Sequence, residues 1–138
     1  MKDNPYKGFV SEQEFILEAL KQNIKISQPL FSQEAYDFIS DFNGKLNRIQ
    51  IKATYRFDNT YKRYSITGSK RNGEIYTKND TDFLIAIIPN NKYYIIPVSE
   101  ISSKGIRLYE KPTRILKNKM TGKYDKYLNR WDLLKWKF

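Results

Sequence analysis

The chain has 138 residues, carries a formal net charge of +10 at pH 7, and contains neither cysteine nor histidine. Its length suits one domain with a single core, and the missing residue types exclude disulfides, the usual zinc ligands and catalytic triads with a histidine base. Hydrolytic chemistry would therefore depend on carboxylates, lysine, tyrosine or a hard metal ion with oxygen ligands.

The first predicted element is a helix over about residues 12–22. In the segment VSEQEFILEALKQN, Ser11 is followed three residues later by Glu14, which is the capping-box pattern, and apolar residues then recur at helical spacing. Glu12 falls in the first turn of this helix. A glutamate there commonly compensates the helix dipole, so Glu12 has a structural interpretation as well as a functional one.

A β-hairpin follows the segment IKISQPL, which predicts a short strand or a loop. The hairpin strands are YDFISDF and KLNRIQIKAT, and Asn43-Gly44 between them is the strongest short signal for a hairpin. With a two-residue turn, Asp37 lies opposite Gln50, and Lys52 is its diagonal neighbour about 7 to 8 Å away. The alternation of apolar and polar residues supports this register. Either these polar side chains simply meet water, or they form a chemical site.

The rest of the chain is rich in apolar, strand-forming runs. RYSIT and EIYTK flank the polar loop GSKRNG, and DFLIAIIP and KYYIIPV flank two asparagines, so we expect these runs to be central strands of one sheet. SEISSK predicts a helical turn, GIRLYE a strand, and KYDKYLNRWDLLKWKF a C-terminal amphipathic helix. The order of elements predicts an α/β fold over residues 1–138, with a mixed central β-sheet flanked by helices.

Basic residues indicate a polyanionic partner. Most of the excess positive charge lies in a C-terminal segment of about residues 104–138, where aromatic residues are interleaved with lysine and arginine. Its alternative interpretation is a solvated helix face. Lys70 and Arg71 in GSKRNG predict a basic loop that enters a DNA groove, or else an exposed turn. Further expected phosphate contacts are Arg48, Arg56, Lys62 and Arg63.

The hairpin carries groups that metal-assisted phosphodiester hydrolysis requires. Asp37 offers a carboxylate for Mg²⁺, which prefers oxygen ligands and keeps several waters, so few protein ligands suffice. Lys52 would neutralise charge that develops in the transition state. Gln50 offers only a neutral carbonyl. A further acid is then needed, and Glu12 supplies it if the N-terminal helix packs beside the hairpin.

The segments KGFVSEQEF, AYDFISDFNGKLNRIQIKAT and TDFLIAIIPNNKYYIIPVS together resemble the PD-(D/E)XK nuclease superfamily. The resemblance covers about residues 7–99 and is strongest to group I intron-encoded homing endonucleases, whose last motif is Gln-x-Lys. It implies Mg²⁺ or Mn²⁺ as cofactor. It also implies Glu12 and Asp37 as metal ligands, the backbone carbonyl of Ile51 as a further ligand, and Gln50 and Lys52 as the last motif.

Three further positions have structural or accessory interpretations. Asp82 matches an acidic position at the start of the following strand in such folds, where we expect a strand or turn cap rather than a metal ligand. Ser11 precedes the helix acid and has the capping role described above. Tyr36 stands where the family name has proline, at a position that shapes backbone rather than chemistry.

The resemblance implies a metal-dependent, site-specific double-strand DNA endonuclease of the homing type, acting as a homodimer or homotetramer. The alternatives are a Holliday-junction resolvase, which normally has an acid where Gln50 stands, and a non-catalytic DNA- or RNA-binding module. No long apolar run or signal-peptide pattern is present. We therefore expect no membrane partner and an intracellular location, in the cytoplasm or nucleoid or in the organelle whose genome carries the gene.

Overall fold

The computed structural model describes residues 5–110 and 122–136. Within these ranges the chain forms one α-helix, eight β-strands and three short 3-10 helices. The α-helix is α1 (Pro5–Lys21), and the strands are β1 (Lys25–Ser27), β2 (Phe38–Phe42), β3 (Lys45–Ala53), β4 (Phe57–Asp58), β5 (Arg63–Thr67), β6 (Phe83–Ile88), β7 (Lys92–Pro97) and β8 (Gly105–Tyr109). The 3-10 helices are Val98–Glu100, Asp125–Tyr127 and Trp131–Leu134.

The central sheet has five strands in the order β1-β2-β3-β6-β7. Strands β3 and β6 pair in parallel, and the other neighbours pair antiparallel. Every residue of β6 is buried, as expected for a strand covered on both faces. The predicted α/β fold with a mixed central sheet is confirmed, although the described residues supply one α-helix to flank it rather than several.

A second sheet, with strand order β4-β5-β8, corrects the prediction that RYSIT belongs to the central sheet. In β5 and β8, buried residues alternate with exposed ones, whereas the central strand β6 is apolar throughout. This alternation is typical of a sheet with one face in water. The segment EIYTK contributes only an isolated bridge between Ser69 and Ile75, because Asp80 accepts hydrogen bonds from Thr77 and closes a turn there.

Helix α1 begins earlier than predicted, since its described part starts at Pro5 rather than near residue 12. Proline suits the first helical turn because it lacks an N–H that would otherwise be unpaired. Ser11 therefore lies inside the helix, where it is buried and its hydroxyl hydrogen-bonds the Tyr55 hydroxyl. The capping-box interpretation of Ser11 is wrong, and so is the placement of Glu12 in the first helical turn.

Aromatic contacts fix α1 on one face of the central sheet. The Phe15 ring centroid lies 6.1 Å from that of Tyr93 and 5.2 Å from that of Trp131. The strand registers place Tyr93 opposite Ile87, on the same sheet face as Ile49 and Ile51. Side chains of this face, of α1 and of the second sheet belong to one hydrophobic core.

The predicted C-terminal amphipathic helix is wrong. Residues 122–136 contain two 3-10 turns, separated by Asn129 with φ 52°. The Asn129 backbone N–H donates to the Tyr93 carbonyl at 2.6 Å, and its side-chain oxygen accepts the Tyr93 N–H at 3.0 Å. These two hydrogen bonds hold the segment at the edge of β7, and they interrupt the helical conformation at Asn129.

The rest of the predicted basic segment over residues 104–138 is described only in part. Its residues 111–121 and 137–138 lie outside the described ranges. The aromatic residues Tyr124, Tyr127 and Trp131 are buried, while Trp136 is exposed. None of the helices in the described ranges is long and apolar enough to cross a membrane.

Candidate active site

The hairpin of β2 and β3 has the predicted register. Phe38 pairs with Ile49, and the ladder runs to Phe42 opposite Lys45. Asn43 and Gly44 form the two-residue turn with φ of 51° and 89°, the left-handed values that a type I′ hairpin requires and that glycine and asparagine tolerate best. Local sequence therefore suffices to fix which residues of the two strands face each other.

Asp37 lies one residue before β2, where the two strands part. Its backbone N–H donates to the Ile49 carbonyl at 2.8 Å, and its carboxylate accepts the Ile51 N–H at 2.9 Å. The predicted pairing of Asp37 directly opposite Gln50 is therefore absent, because the ladder ends at Phe38. The carboxylate nevertheless lies against β3 at Ile51, the residue between Gln50 and Lys52.

Glu12, Asp37 and Lys52 interact electrostatically in a partly buried setting. Burial raises the pKa of Asp37, against the lowering effects of the Ile51 N–H and of Lys52. Burial lowers the pKa of Lys52, against the attraction of Asp37. Burial also raises the pKa of Glu12, and the negative charge of Asp37 raises it further. The N-terminal helix thus does bring its acid to the hairpin, as the sequence predicts.

A cavity of about 100 Å³ lies between Glu12 and Asp37. Gln28 and Tyr36 also line it. Gln50 does not line this cavity, and its side-chain amide donates to the Ile51 carbonyl at 3.4 Å, a long hydrogen bond. The four predicted site residues therefore surround one short stretch of β3.

The donor set suits a hard cation with few protein ligands. Among the described residues, no group of three or more Asp, Glu, His or Cys side chains could hold a metal ion, so the site offers two carboxylates rather than three. Mg²⁺ keeps several waters and is often bound through one or two carboxylates. Glu12 and Asp37 fit that requirement, and Ile51, whose N–H the Asp37 carboxylate accepts, has the carbonyl that would be the further ligand.

Tyr76 is a site neighbour that the sequence does not identify. The Lys52 Nζ lies 5.6 Å from the Tyr76 ring centroid, and the ring is buried. Burial raises the pKa of the Tyr76 hydroxyl, and Asp37 raises it further. Tyr76 follows the GSKRNG loop, far along the chain from the hairpin, so only the tertiary fold brings it to Lys52.

Arg48 and Asp82 form a half-buried link between β3 and the start of β6. The Asp82 carboxylate accepts the Arg48 backbone N–H at 2.7 Å and pairs with the Arg48 guanidinium at 3.2 Å. Arg48 also donates to the carbonyls of Lys78 and Asn79. Burial opposes ionisation of Asp82, but the Arg48 contacts hold the Asp82 pKa below its usual range. The structure therefore places Arg48 in intramolecular contacts and Asp82 in the position of a strand cap.

The other predicted DNA-contacting residues surround the second sheet. Lys70 forms an ion pair with Asp80 at 3.1 Å, while Arg71 beside it is exposed. Arg56 and Lys62 are exposed as well. Arg63 is half-buried, with its guanidinium 4.5 Å from the Tyr61 ring centroid and donating to the Tyr109 hydroxyl.

Known proteins share this fold and its sequence pattern. The family model for PD-(D/E)XK endonucleases matches residues 2–130. The solved structure of a bacterial homing endonuclease, I-Ssp6803I, matches with a TM-score of 0.78 and 26% identity, covering 97% of this chain and 92% of that one.

A second solved structure matches less closely. Hjc, a Holliday junction resolvase from the archaeal hyperthermophile Archaeoglobus fulgidus, matches with a TM-score of 0.56 and 11% identity, covering 96% of this chain and 99% of that one. At this identity the likeness shows the fold alone. No curated protein matches the sequence.

Proposed function

This chain belongs to the PD-(D/E)XK endonuclease family, and we propose that it is a Mg²⁺-dependent, site-specific double-strand DNA endonuclease of the homing type. The observation that carries the proposal is the contact of the Asp37 carboxylate with β3 at Ile51, between Gln50 and Lys52 and beside Glu12. The 26% identity to a bacterial homing endonuclease over nearly the whole chain supports the homing type.

Each residue of the site has a distinct proposed role. Asp37 and Glu12 would hold the metal ion, with the Ile51 carbonyl completing the protein ligands. When bound, Mg²⁺ or Mn²⁺ supplies charge neutralisation at the phosphoryl oxygens and a lower pKa for bound water. The Lys52 ammonium is held near Asp37 and the Tyr76 ring, and it would stabilise the negative charge that develops on the phosphate in the transition state.

Gln50 stands where related nucleases outside the homing branch have an acid. Its carbonyl oxygen is a neutral ligand candidate, and its amide N–H groups can bind a water or a phosphate oxygen. Two carboxylates are enough for an ion that keeps most of its waters. We therefore propose that Gln50 positions a water or a phosphate oxygen in an active enzyme, and that the neutral side chain at this position does not abolish catalysis.

Double-strand cleavage requires two such sites. One site hydrolyses one strand, so the chain would act as a homodimer or homotetramer on a nearly palindromic duplex. Size-exclusion chromatography with light scattering, with and without duplex, measures this directly. A monomer that linearises plasmid in a single binding event would contradict the oligomer.

The test of the proposed function is cleavage, in Mg²⁺ and in EDTA, of a supercoiled plasmid that carries the duplex sequence this chain enriches from a randomised library. We expect nicked and linear products in Mg²⁺ alone, and none from Lys52→Ala, which should still bind duplex. Full cleavage by Lys52→Ala would overturn the site. Absence of cleavage by the wild type, with duplex binding intact, would favour a non-catalytic binding module.

A four-way DNA junction distinguishes the homing endonuclease from the resolvase candidate. The likeness to the archaeal resolvase concerns the fold alone, and Gln50 departs from the acid that a resolvase normally has. We expect linear duplex to be cut at least as fast as a junction of the same sequence. Preference for the junction would favour the resolvase.

A further inference from the structure

The second sheet has one face in the core and one face in solvent. Tyr64, Ile66, Ile106 and Leu108 point inward and are buried. The opposite face carries three cross-strand pairs, which are Arg63 with Tyr109, Ser65 with Arg107, and Thr67 with Gly105. We call these six residues the outer face of the second sheet.

The outer face presents hydrogen-bonding groups in regular order. Its side chains are two guanidinium groups, two aliphatic hydroxyls and one phenol, with no carboxylate on β5 or β8 between residues 63–67 and 105–109. Ser65, Thr67 and Arg107 are exposed. Guanidinium and hydroxyl groups are those that bind base edges in the major groove of DNA, which is wide enough to admit a two-stranded β-ribbon.

Arg107 lies flat on this face because of Gly105. A Cβ atom built on Gly105 would come within 2.6 Å of the Arg107 Nη1, so the guanidinium occupies the space that a side chain would fill. Among residues 5–110 and 122–136, no hydrogen bond or ion pair involves the Arg107 guanidinium, unlike that of Arg48. Its donors therefore remain available to a ligand.

More positive charge flanks both ends of the outer face. Lys62 is exposed beside Tyr61 at one end. At the other end, Arg71 is exposed, and the Lys104 Nζ lies close to Gly73 of the same loop. One acid lies on the same side of the sheet, since Asp58 of β4 pairs with Arg63, and its carboxylate accepts the Thr60 and Tyr61 N–H groups. The other nearby acids are at the margins, where the Glu74 carboxylate accepts a hydrogen bond from Asn72 and Glu110 follows the end of β8.

The end of β5 is linked to the proposed active site through the buried residue Tyr76. Strand β5 ends at Thr67, and the next residue, Gly68, accepts the Tyr76 N–H at 3.2 Å. The Tyr76 ring in turn contacts Lys52. The five residues of β5 and of β8 span roughly 17 Å, which is about the length of five base pairs.

We propose that the outer face of the second sheet binds the major groove of the target duplex and that Arg107, positioned over Gly105, contacts base edges there. This inference rests on the proposed function for its ligand, double-stranded DNA. Arg71, Lys104 and Lys62 contact phosphates and set overall affinity. Specificity and catalysis then occupy adjacent but separate surfaces of one chain.

The test is a binding selection with a library of duplexes whose central base pairs are randomised, with Ca²⁺ in place of Mg²⁺. Wild type, Arg107→Ala, Gly105→Ala and the control Lys21→Ala, which removes an exposed cation from α1, are compared. We expect the wild type to enrich one sequence. Arg107→Ala should bind that sequence at least about tenfold more weakly and lose the preference at one or two adjacent base pairs. Gly105→Ala, which displaces the guanidinium, should alter the same base pairs, and Lys21→Ala should alter none.

The outcomes separate this inference from the proposed function. If both sheet variants enrich the wild-type sequence with wild-type affinity, or if Arg107→Ala weakens all sequences equally, base contact by the outer face is refuted. The same holds if the wild type enriches nothing. Plasmid cleavage in Mg²⁺ is measured separately. If the variants alter sequence selection but the wild type does not cleave, base contact by the outer face is supported and the proposed nuclease activity is refuted. Thermal unfolding of each variant identifies any loss of fold.

Discussion

Replacement of Asp37 by asparagine separates the charge of this side chain from its hydrogen bond. The Asp37 carboxylate accepts the Ile51 N–H at 2.9 Å, and the amide oxygen of asparagine can accept the same bond. Because burial raises the pKa of Asp37, loss of the charge removes a desolvation cost. We therefore expect the metal-free Asp37→Asn variant to unfold at the wild-type temperature or above it.

The pH dependence of this difference has a definite sign. A carboxyl group whose pKa is raised by folding contributes stability below its ordinary pKa, here 3.8, and loses that contribution as pH rises through the raised pKa. The asparagine variant has no such loss. The unfolding midpoint of Asp37→Asn minus that of the wild type should therefore increase as pH rises through the acidic range.

Although Asp37→Asn should be at least as stable as the wild type without metal, Mg²⁺ should stabilise the variant much less than it stabilises the wild type. Removal of one unit charge about 4 Å from another unit charge costs about 4 kcal/mol at an effective dielectric constant of 20. Because Mg²⁺ carries two charges, the loss of affinity should be at least roughly a thousandfold. Wild type at a Mg²⁺ concentration of about 100 times its Kd should gain about 2.7 kcal/mol, and the variant almost nothing. Thermal unfolding with Mg²⁺ titration and plasmid cleavage measure both effects.

Asp37→Ala is the matched control for the hydrogen bond. It removes the acceptor of the Ile51 N–H as well as the charge, so it should lose about 1 to 3 kcal/mol of stability that Asp37→Asn keeps. Full cleavage by Asp37→Asn, or a Mg²⁺-induced rise in its unfolding midpoint equal to that of the wild type, would refute the assignment of Asp37 as principal ligand.

Lys52 should act as a cation. Burial lowers the pKa of Lys52, so the cleavage rate should decline as pH rises through that lowered pKa. In Lys52→Arg this decline should move to higher pH because guanidinium stays protonated. A decline at the same pH in both proteins would contradict the role of Lys52 as a cation. Gln50→Glu adds a carboxylate beside Asp37. Its unfolding temperature without metal should therefore be lower than that of the wild type, and Mg²⁺ should raise that temperature by more. Unchanged unfolding temperatures would argue against a shared site. Asp82→Asn should cost about 1.5 to 3 kcal/mol of stability through its contacts with Arg48, measured by urea unfolding, while the folded variant keeps its cleavage rate. A loss of cleavage without a loss of stability would instead indicate a catalytic Asp82.

The hairpin could be predicted because its information is local. Asn43-Gly44 demands left-handed backbone angles, and the alternation along β3 allows only one register. A slip of one residue would turn Gln50 and Lys52 into the core, so turn and pattern must agree. The position of Asp37 relative to β3 followed from this register to within one ladder step.

The second sheet and the C-terminal segment were mispredicted for reasons outside the local sequence. Strand β5 has as much strand propensity as the central strands. Its alternation of buried and exposed residues favours a sheet with one face in water, but only its pairing with β8 shows which sheet it joins. The segment around Trp131 has helical spacing, yet Asn129 bonds the backbone of Tyr93 and interrupts it. In both cases a long-range partner outweighed local preference.

The neutral residue at position 50 is explained by the burial of its neighbours. Burial already raises the pKa of both Asp37 and Glu12, and Asp37 adds to the shift of Glu12. A third carboxylate would make it still harder for the metal-free site to stay ionised at neutral pH. Glutamine retains an oxygen donor without that repulsion, but then fewer negative charges attract the cation. Stability without metal and affinity for metal thus oppose each other at this position. Glutamine there favours stability, while Glu12, Asp37 and Lys52 keep the charges that the proposed hydrolysis needs.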